Sequence, residues 1–238
     1  MAQKKLLRFA QIKEFSNVLE YPENMKGEWR NFFKNDHPVI LELACGRGEY
    51  TIGLAAMFPQ QNFIGVDVKG NRMYLGAKKA QENSLNNAAF LRTQIEMINA
   101  YFAPGEVDQI WITFPDPQLR TSKAKKRLTH PRFLRLYLEI LKPGGSIHLK
   151  TDSPDLHVFT TKVINMYGLE LKEESGNVYA EPHKPELDIK THYEGLDIAQ
   201  SKKIHYLHFT IPSSIPGAQM DDDLMENLKQ TENQNGTA

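Results

Sequence analysis

The chain has 238 residues, and its 29 lysine and arginine residues balance 29 aspartate and glutamate residues, so the formal net charge is zero. This length favours one large domain, and a hydrophobic content of 40% excludes a wholly disordered chain. The single cysteine, Cys45, excludes an internal disulfide and argues against a cysteine-based zinc site. Zero net charge argues against a nucleic-acid partner, because domains that bind nucleic acids are usually basic.

The sequence predicts neither a membrane-spanning segment nor a targeting segment. The first ten residues lack the apolar core and the cleavage site of a secretory signal. No apolar run approaches the roughly 18 residues of a spanning helix. Because the one cysteine is unpaired, we expect a cytoplasmic protein without a membrane partner.

Short apolar runs alternate with helical patterns through the first two thirds of the chain. The predicted strands cover residues 38–44, 62–68, 90–92, 107–114 and 146–151. The predicted helices cover residues 51–57, 71–85, 95–101 and 131–141. This alternation predicts an α/β fold with a mostly parallel sheet, whose ligands bind at the carboxyl ends of the strands.

The two ends of the chain differ in composition from the middle. Residues 1–30 carry four cations before the first acid, which predicts a basic and mobile arm. Residues 31–212 carry the α/β pattern, with a last strand predicted at 204–210. Residues 213–238 are rich in Asp, Asn, Gln, Pro and Gly, which predicts an acidic, disordered tail.

The glycine turn after the first strand is the first candidate site. Gly46 and Gly48 allow the backbone to approach a ligand. Asp67 ends the second strand 19 residues after Gly48, where an acid commonly binds ribose hydroxyls. The dinucleotide pattern requires a third glycine where Thr51 stands, and this replacement, with Glu42 upstream, favours S-adenosylmethionine over a nicotinamide dinucleotide. The competing interpretation is an ordinary glycine-bearing turn followed by an incidental surface acid.

Asp116 stands between two prolines at the end of the fourth predicted strand. A carboxylate with so little backbone freedom suits a site that positions a substrate, although an ordinary proline turn is the alternative. Residues 118–138 then contain seven cations and no acid, a local positive field that attracts anionic backbones such as RNA. The cations are Arg120, Lys123, Lys125, Lys126, Arg127, Arg132 and Arg135.

These motifs, taken in order, resemble those of the bacterial tRNA (guanine-N7-)-methyltransferases. The resemblance covers roughly residues 38–211. Its glycine turn is generic, whereas the later motifs in this order are specific to the family. The motifs are Glu42-x-x-x-Gly46-x-Gly48, Gly65-Val66-Asp67, Phe114-Pro115-Asp116-Pro117, Arg127-Leu128-Thr129, Leu149-Lys150-Thr151-Asp152 and Thr191-His192-Tyr193-Glu194.

The resemblance implies a Rossmann-like class I methyltransferase fold, with about seven strands and helices on both faces of the sheet. It implies methyl transfer from S-adenosylmethionine to N7 of a guanine in the variable loop of tRNA, which gives 7-methylguanosine. We therefore expect tRNA as the partner, no DNA, no metal, and a monomer or a weak homodimer.

The resemblance also implies roles for individual residues. Asp116 would be the catalytic residue, between cofactor and guanine. Gln94 stands where the family has an acid, and Gln118 stands where the family usually has Trp. The implied cofactor-binding residues are Glu42, Gly46, Gly48, Asp67, Gln94 and Asp116. The implied substrate contacts are Arg120, Asp152, Thr191, His192, Tyr193 and Glu194, beside an RNA-binding patch of Lys123, Lys125, Lys126 and Arg127.

Three other functions stay open at this point. The chain could be a catalytically inactive RNA-binding module, or a methyltransferase acting on a small molecule or a protein. A nicotinamide-dependent oxidoreductase is the third and weakest, for lack of the third glycine. The charge argument against nucleic acid does not hold, because residues 213–238 carry five acids and one lysine and leave the rest of the chain at +4.

Overall fold

The computed structural model describes residues 7–8, 10–196, 198 and 200–235, and eight strands within them form one sheet. The strands are β1 (Val18–Glu20), β2 (Val39–Leu43), β3 (Asn62–Asp67), β4 (Ala88–Arg92), β5 (Val107–Thr113), β6 (Leu141–Thr151), β7 (Glu170–Ser175) and β8 (His205–Thr210).

Helices connect and cover these strands. The α-helices in the described part of the chain are α1 (Trp29–Phe33), α2 (Glu49–Met57), α3 (Gly70–Glu82), α4 (Pro131–Ile140), α5 (Pro154–Tyr167) and α6 (Ala218–Asn235). Short 3-10 helices include Ile95–Ala100, Thr121–Lys126 and Glu194–Leu196. None of the helices described has the length and apolar character needed to cross a membrane.

The sheet has the strand order β1-β4-β3-β2-β5-β6-β8-β7. Strands β1 to β6 pair in parallel, whereas β8 is antiparallel to both β6 and β7. The chain order reverses at β2, which lies between β3 and β5, so a ligand cleft is expected at their carboxyl ends. The predicted α/β fold is confirmed. The sheet has one strand beyond the seven expected, because β1 has only three residues and no sequence pattern marks it.

Strand β2 shows why the sheet is buried on both faces. Val39, Leu41 and Leu43 pack into one apolar cluster, whereas Ile40 packs into a second. Alternate side chains of a strand point to opposite faces, so a central parallel strand is apolar on both. Glu42 is the polar exception, and it is also buried.

Most of the segment predicted to be a mobile arm belongs to the fold. Ile12 is fully buried, and β1 adds a parallel edge strand to β4. The Asn17 side-chain amide donates a hydrogen bond to the carbonyl oxygen of Ala77 (3.1 Å). The prediction is therefore wrong for residues 12–30, which gain order from long-range pairing that no local pattern reveals. Residues 1–6, with two of the arm's cations, lie outside the described residues.

The segment predicted to be a disordered tail contains helix α6, so that prediction is also wrong for residues 218–235. Met220, Leu224 and Leu228 recur at every fourth position and pack against the core, where Leu224 is fully buried. Asp221 accepts two hydrogen bonds of 2.8 Å from the Arg135 guanidinium of α4. The polar composition concealed an apolar stripe at helical spacing.

Candidate active site

A cleft of about 810 Å³ opens at the carboxyl ends of β2, β3, β5 and β6. One side is called the glycine-turn wall, and it is lined by Ala44, Gly46, Asp67, Val68, Lys69 and Arg72. The opposite side is called the Pro-Asp-Pro wall, and it is lined by Phe114, Pro115, Asp116, Pro117, Leu119, Asp152, Ser153, Pro154 and Asp155. Tyr193 and Ile198, from the loop before β8, complete the lining.

The glycine-turn wall is a tight turn that requires left-handed backbone conformations. Ala44, Gly46 and Gly48 have φ angles of 57°, 57° and 74°. The Asp67 carboxylate accepts hydrogen bonds from the backbone N–H groups of Gly46 (2.9 Å) and Lys69 (2.8 Å). Asp67 therefore ties the ends of β2 and β3 together at the edge of the cleft.

Gly48 is not among the residues that line the cleft, and its contact with the cofactor stays a prediction. A Cβ atom at Gly48 would lie 2.5 Å from the Phe90 ring and 3.4 Å from the Cα atom of Gly76. Only glycine permits this close approach of the turn to β4 and α3. Its role in the structure is therefore packing.

Glu42 also lies behind the glycine-turn wall and does not line the cleft. One carboxylate oxygen accepts from the Thr51 hydroxyl and from the Thr51 backbone N–H (2.7 Å), and the other accepts from the Thr113 hydroxyl (2.6 Å). Burial raises the pKa of Glu42 to about 7, although these hydrogen bonds oppose the rise. Glu42 thus ties β2, α2 and β5 together, and its contact with the cofactor stays a prediction. Thr51, at the missing third glycine, is part of this support.

Gln94 is not among the residues that line the cleft. It is an exposed residue after β4, and its carbonyl oxygen accepts a hydrogen bond from the backbone N–H of Met97 (2.9 Å). The structure therefore gives no support to the predicted contact between Gln94 and an adenine.

The Pro-Asp-Pro wall presents the exposed Asp116 to the cleft. Phe114 has a φ angle of 46°, which is rare for a bulky residue, and its N–H donates to the Lys150 carbonyl oxygen of β6 (2.8 Å). The Asp116 carboxylate accepts a hydrogen bond from the Gln118 N–H (3.0 Å), an Asx-type turn. Asp116 therefore belongs to a proline turn of the ordinary Asx type and also lines the cleft.

Four cations after Asp116 form an exposed group on and beside the 3-10 helix Thr121–Lys126. They form no salt bridge with any residue that the structure describes. We call them the basic patch, and they are Arg120, Lys123, Lys125 and Lys126.

Arg127 does not belong to the basic patch, in contrast to the prediction. Its side chain is buried, and its guanidinium donates to the carbonyl oxygens of Pro117 (3.2 Å), Gln118 (3.1 Å) and Leu119 (3.2 Å). The guanidinium also lies 4.4 Å from the centre of the Phe159 ring. Arg127 therefore supports the Pro-Asp-Pro wall from behind.

The last two cations of the acid-free segment find counter-ions elsewhere in the chain. Arg132 pairs with Glu96 at 3.1 Å, and Arg135 pairs with Asp221 at 2.8 Å. The sequence showed a run without acids, but folding brings acids from distant segments to its far end. Within this segment, the exposed cations without a salt bridge to any described residue are therefore those of the basic patch.

The charges that line the cleft are unevenly distributed. Asp116, Asp152 and Asp155 lie on the Pro-Asp-Pro wall, whereas Lys69 and Arg72 join the glycine-turn wall. The two cations were missed, although their position just after Asp67 in the same βα turn was an available signal. The described part of the chain contains no group of three or more His, Cys, Asp or Glu side chains able to hold a metal ion.

The segment Thr191–Glu194 divides between the cleft and the interior. Tyr193 lines the cleft, and a Cβ atom at Gly46 would lie 3.2 Å from its ring. The Arg72 guanidinium lies 5.5 Å from the centre of the same ring. The exposed His192 packs edge-on against Tyr193, with 5.6 Å between ring centres.

The other two residues of this segment have their polar groups engaged within the protein. The Thr191 hydroxyl accepts a hydrogen bond from the Glu194 N–H (3.1 Å), which caps the following 3-10 helix. The Glu194 carboxylate is only 7% exposed and pairs with Lys150 (3.2 Å) and Lys190 (2.9 Å). Glu194 is not among the residues that line the cleft, and its contact with substrate stays a prediction.

Comparisons with known proteins agree with this fold. Residues 36–207 match the family described as putative methyltransferases (Methyltransf_4). The fold is similar to that of the 16S rRNA methyltransferase KamB, with a TM-score of 0.60 at 16% identity. It is also similar to that of the aminoglycoside-resistance methyltransferase NpmB1, with a TM-score of 0.57 at 19% identity. Each comparison covers 80% of this chain, with 95% and 94% of the two structures. At these identities the likeness shows the fold alone.

Sequence relatives identify the family. The tRNA (guanine-N(7)-)-methyltransferase of Porphyromonas gingivalis is 46% identical over 211 residues, covering 83% of this chain and 86% of the relative. The protein of the same name from Christiangramia forsetii is 45% identical over 221 residues, covering 88% and 99%. The chain belongs to the tRNA (guanine-N(7)-)-methyltransferase family.

Proposed function

We propose that this protein transfers the methyl group of S-adenosylmethionine to N7 of a guanine in the variable loop of tRNA. The observation that carries the proposal is the position of Asp116. It faces the glycine turn across one cleft and is followed directly by the basic patch. Cofactor, base and RNA backbone would therefore meet at one point of the surface.

The residues of the cleft fit S-adenosylmethionine. Gly46 offers backbone without a side chain, and Asp67 places a carboxylate at the end of β3, where a ribose would be bound. Arg72 and Lys69 line the same wall and would attract the carboxylate of the methionine portion. A cleft of about 810 Å³ is in the size range of small-molecule sites. When bound, the cofactor supplies an electrophilic methyl group.

The chain's own residues would mainly position the reactants. Guanine N7 carries a lone pair and no proton, so its attack on a methyl group requires no general base. Tyr193 and the two walls would align the base and exclude water, a proximity effect. The ring gains positive charge as N7 is methylated, and the Asp116 carboxylate would stabilise that charge and hold the amino edge of the base.

The remaining substrate contacts would surround this point. Asp152, His192 and Tyr193 would contact the nucleotide from the side of β6 and the following loop. The basic patch would bind the RNA backbone in a salt-dependent manner. We further propose that the protein acts in the cytoplasm, where tRNA is found, as a monomer or a weak homodimer and without DNA.

The decisive experiment is methyl transfer from labelled S-adenosylmethionine to bulk tRNA, followed by nucleoside analysis. We expect the label in 7-methylguanosine, and none in a transcript whose variable-loop guanine is replaced by adenine. Label in another nucleoside, or only in a protein or small molecule, would overturn the proposal. Cofactor binding can be measured separately by calorimetry, and RNA binding without any cofactor heat would identify an inactive RNA-binding module.

A further inference from the structure

We propose that Lys150 is a positioning residue whose buried ammonium holds the Thr191–Glu194 segment in place beside the Asp116 turn. The inference rests on the proposed function, because it assigns a role in placing the guanine. Lys150 is not a catalytic residue here, since it does not line the cleft. It would act through Glu194 and Phe114.

Lys150 is a fully buried lysine near the carboxyl end of β6. Its ammonium donates to the carbonyl oxygens of Leu187 (2.7 Å) and Ile189 (3.1 Å) and to the Tyr179 hydroxyl (3.2 Å). It also pairs with Glu194 Oε2 at 3.2 Å. Every one of these partners belongs to the chain between β7 and β8, so one ammonium fastens that loop to the sheet.

The Glu194 carboxylate carries this restraint to the cleft. Its second oxygen accepts hydrogen bonds from Tyr179 and from Lys190 (2.9 Å). Tyr193, the preceding residue, lies over Gly46 and lines the cleft. If the Lys150–Glu194 pair is broken, Tyr193 loses the fixed neighbour that sets its position over the glycine turn.

Lys150 is equally linked to the Pro-Asp-Pro wall. Its carbonyl oxygen accepts the hydrogen bond of the Phe114 N–H (2.8 Å), and its ammonium lies 5.5 Å from the centre of the Phe114 ring. Phe114 holds its rare left-handed φ angle two residues before Asp116. Asp152 follows Lys150 by two residues, just after the end of β6. The same residue therefore contacts the loop above the cleft and the turn that presents Asp116.

The cost of burial indicates that the charge at this position serves geometry. Taking an ammonium out of water is unfavourable, and desolvation lowers the pKa of Lys150. An apolar side chain of similar length would fill the same space without that cost. Such a side chain could not fix the loop by directional hydrogen bonds and an ion pair, as the Lys150 ammonium does.

The test compares Lys150→Met with Lys142→Met in the purified full-length protein. Lys142 lies at the opposite end of the same strand and forms an exposed pair with Asp108 at 2.6 Å, so it is a matched control. For K150M we expect faster hydrogen exchange in peptides covering 185–196, and unchanged exchange in β2 and α2. We also expect kcat/KM for tRNA to fall at least tenfold, while the Kd of S-adenosylmethionine changes less than threefold. K142M should match the wild type in all of these.

A residue that only stabilises the fold would give a different result. It would raise exchange across the whole sheet and leave kcat/KM per folded molecule unchanged. If K150M does not fold, the double variant Lys150→Met/Glu194→Gln removes both charges, and it should fold while keeping the loop exchange and the tRNA defect.

Wild-type loop exchange and wild-type kcat/KM in the variants would overturn the inference. A wild-type protein that formed no 7-methylguanosine would instead overturn the proposed function, and the loop exchange, which needs no activity, would still decide whether Lys150 fastens the segment.

Discussion

The two walls of the cleft are held by different kinds of interaction. In the glycine-turn wall, Asp67 binds two backbone N–H groups within the turns that follow paired strands. In the Pro-Asp-Pro wall, buried side chains from elsewhere do the holding: the Arg127 guanidinium donates to three carbonyl oxygens, and the Lys150 ammonium lies 5.5 Å from the centre of the Phe114 ring. The first wall is therefore held largely by backbone contacts between neighbouring βα turns, whereas the second depends on side chains that pack behind it. Substitutions should separate cofactor binding, at the first wall, from turnover, at the second.

The sharpest separation is expected at Asp116. Asp116→Asn keeps the size of the side chain but removes the charge that would face the methylated ring, so kcat should fall by about a hundredfold or more. The Kd of S-adenosylmethionine should change little, because the glycine-turn wall is untouched. Single-turnover methylation of tRNA and calorimetry measure the two quantities. Asp155→Asn is the matched control on the same wall, and an equal loss there would mean that only the overall charge of the cleft matters.

Glu42 is an exception to this difference, because it is a buried side chain that supports the glycine-turn wall from behind. Its pKa is raised from 4.5 to about 7, so the folded protein binds more protons than the unfolded chain between these values. The stability from this group is therefore complete below pH 4.5 and is lost as the pH rises through 7, by about 3 kcal/mol. In Glu42→Gln this part of the pH dependence should vanish. Urea unfolding of both proteins from pH 5 to pH 8 measures it, and parallel curves would refute it.

The difference between the walls also explains which features of the fold and of the site could be predicted from the sequence. The strands, Gly46, Asp67 and Asp116 were predicted because local apolar runs and turn residues mark them. Arg127 was grouped with the basic patch because a run of cations is typically solvated, and only the tertiary structure shows three carbonyl oxygens around it. Glu194 was taken as a substrate contact because the motif Thr191-His192-Tyr193-Glu194 resembles that of the family. Its partner Lys150 lies on β6, 44 residues earlier in the sequence, so no local pattern reveals the pair.

Substitutions of Arg127 and Lys125 test whether one basic run contains residues with two different functions, namely support of the Pro-Asp-Pro wall and binding of RNA. Arg127→Met leaves three carbonyl oxygens without their donor and should cost about 2 kcal/mol of stability, with no change in the salt dependence of tRNA binding. Lys125→Met should leave stability within about 0.5 kcal/mol and reduce the slope of log K against log salt by about one. Urea unfolding and salt titration of tRNA binding measure these effects. A salt slope that fell equally in both variants would place Arg127 at the RNA after all.

The smallest expected effect concerns the contact between α6 and the basic region. Helix α6 lies beside the 3-10 helix Thr121–Lys126, and Asp221 binds Arg135 through both carboxylate oxygens and accepts from the Tyr167 hydroxyl at 2.7 Å. Asp221→Asn should cost about 1 kcal/mol of stability, because this charged pair is partly shielded from water. It should also strengthen tRNA binding about twofold at low salt, since Arg135 would then face the RNA without its counter-ion.

Asp223→Asn is the matched control for this change, because it removes the same charge from an exposed position on the same helix. If the acidic helix competes with RNA through Arg135, D223N should leave both stability and affinity close to those of the wild type. An equal gain in tRNA affinity in both variants would mean that the helix acts only through its total charge. Urea unfolding measures the loss of the local ion pair. Filter binding at two salt concentrations measures the general effect of the helix charge on tRNA affinity, because salt screens the interaction between exposed charges.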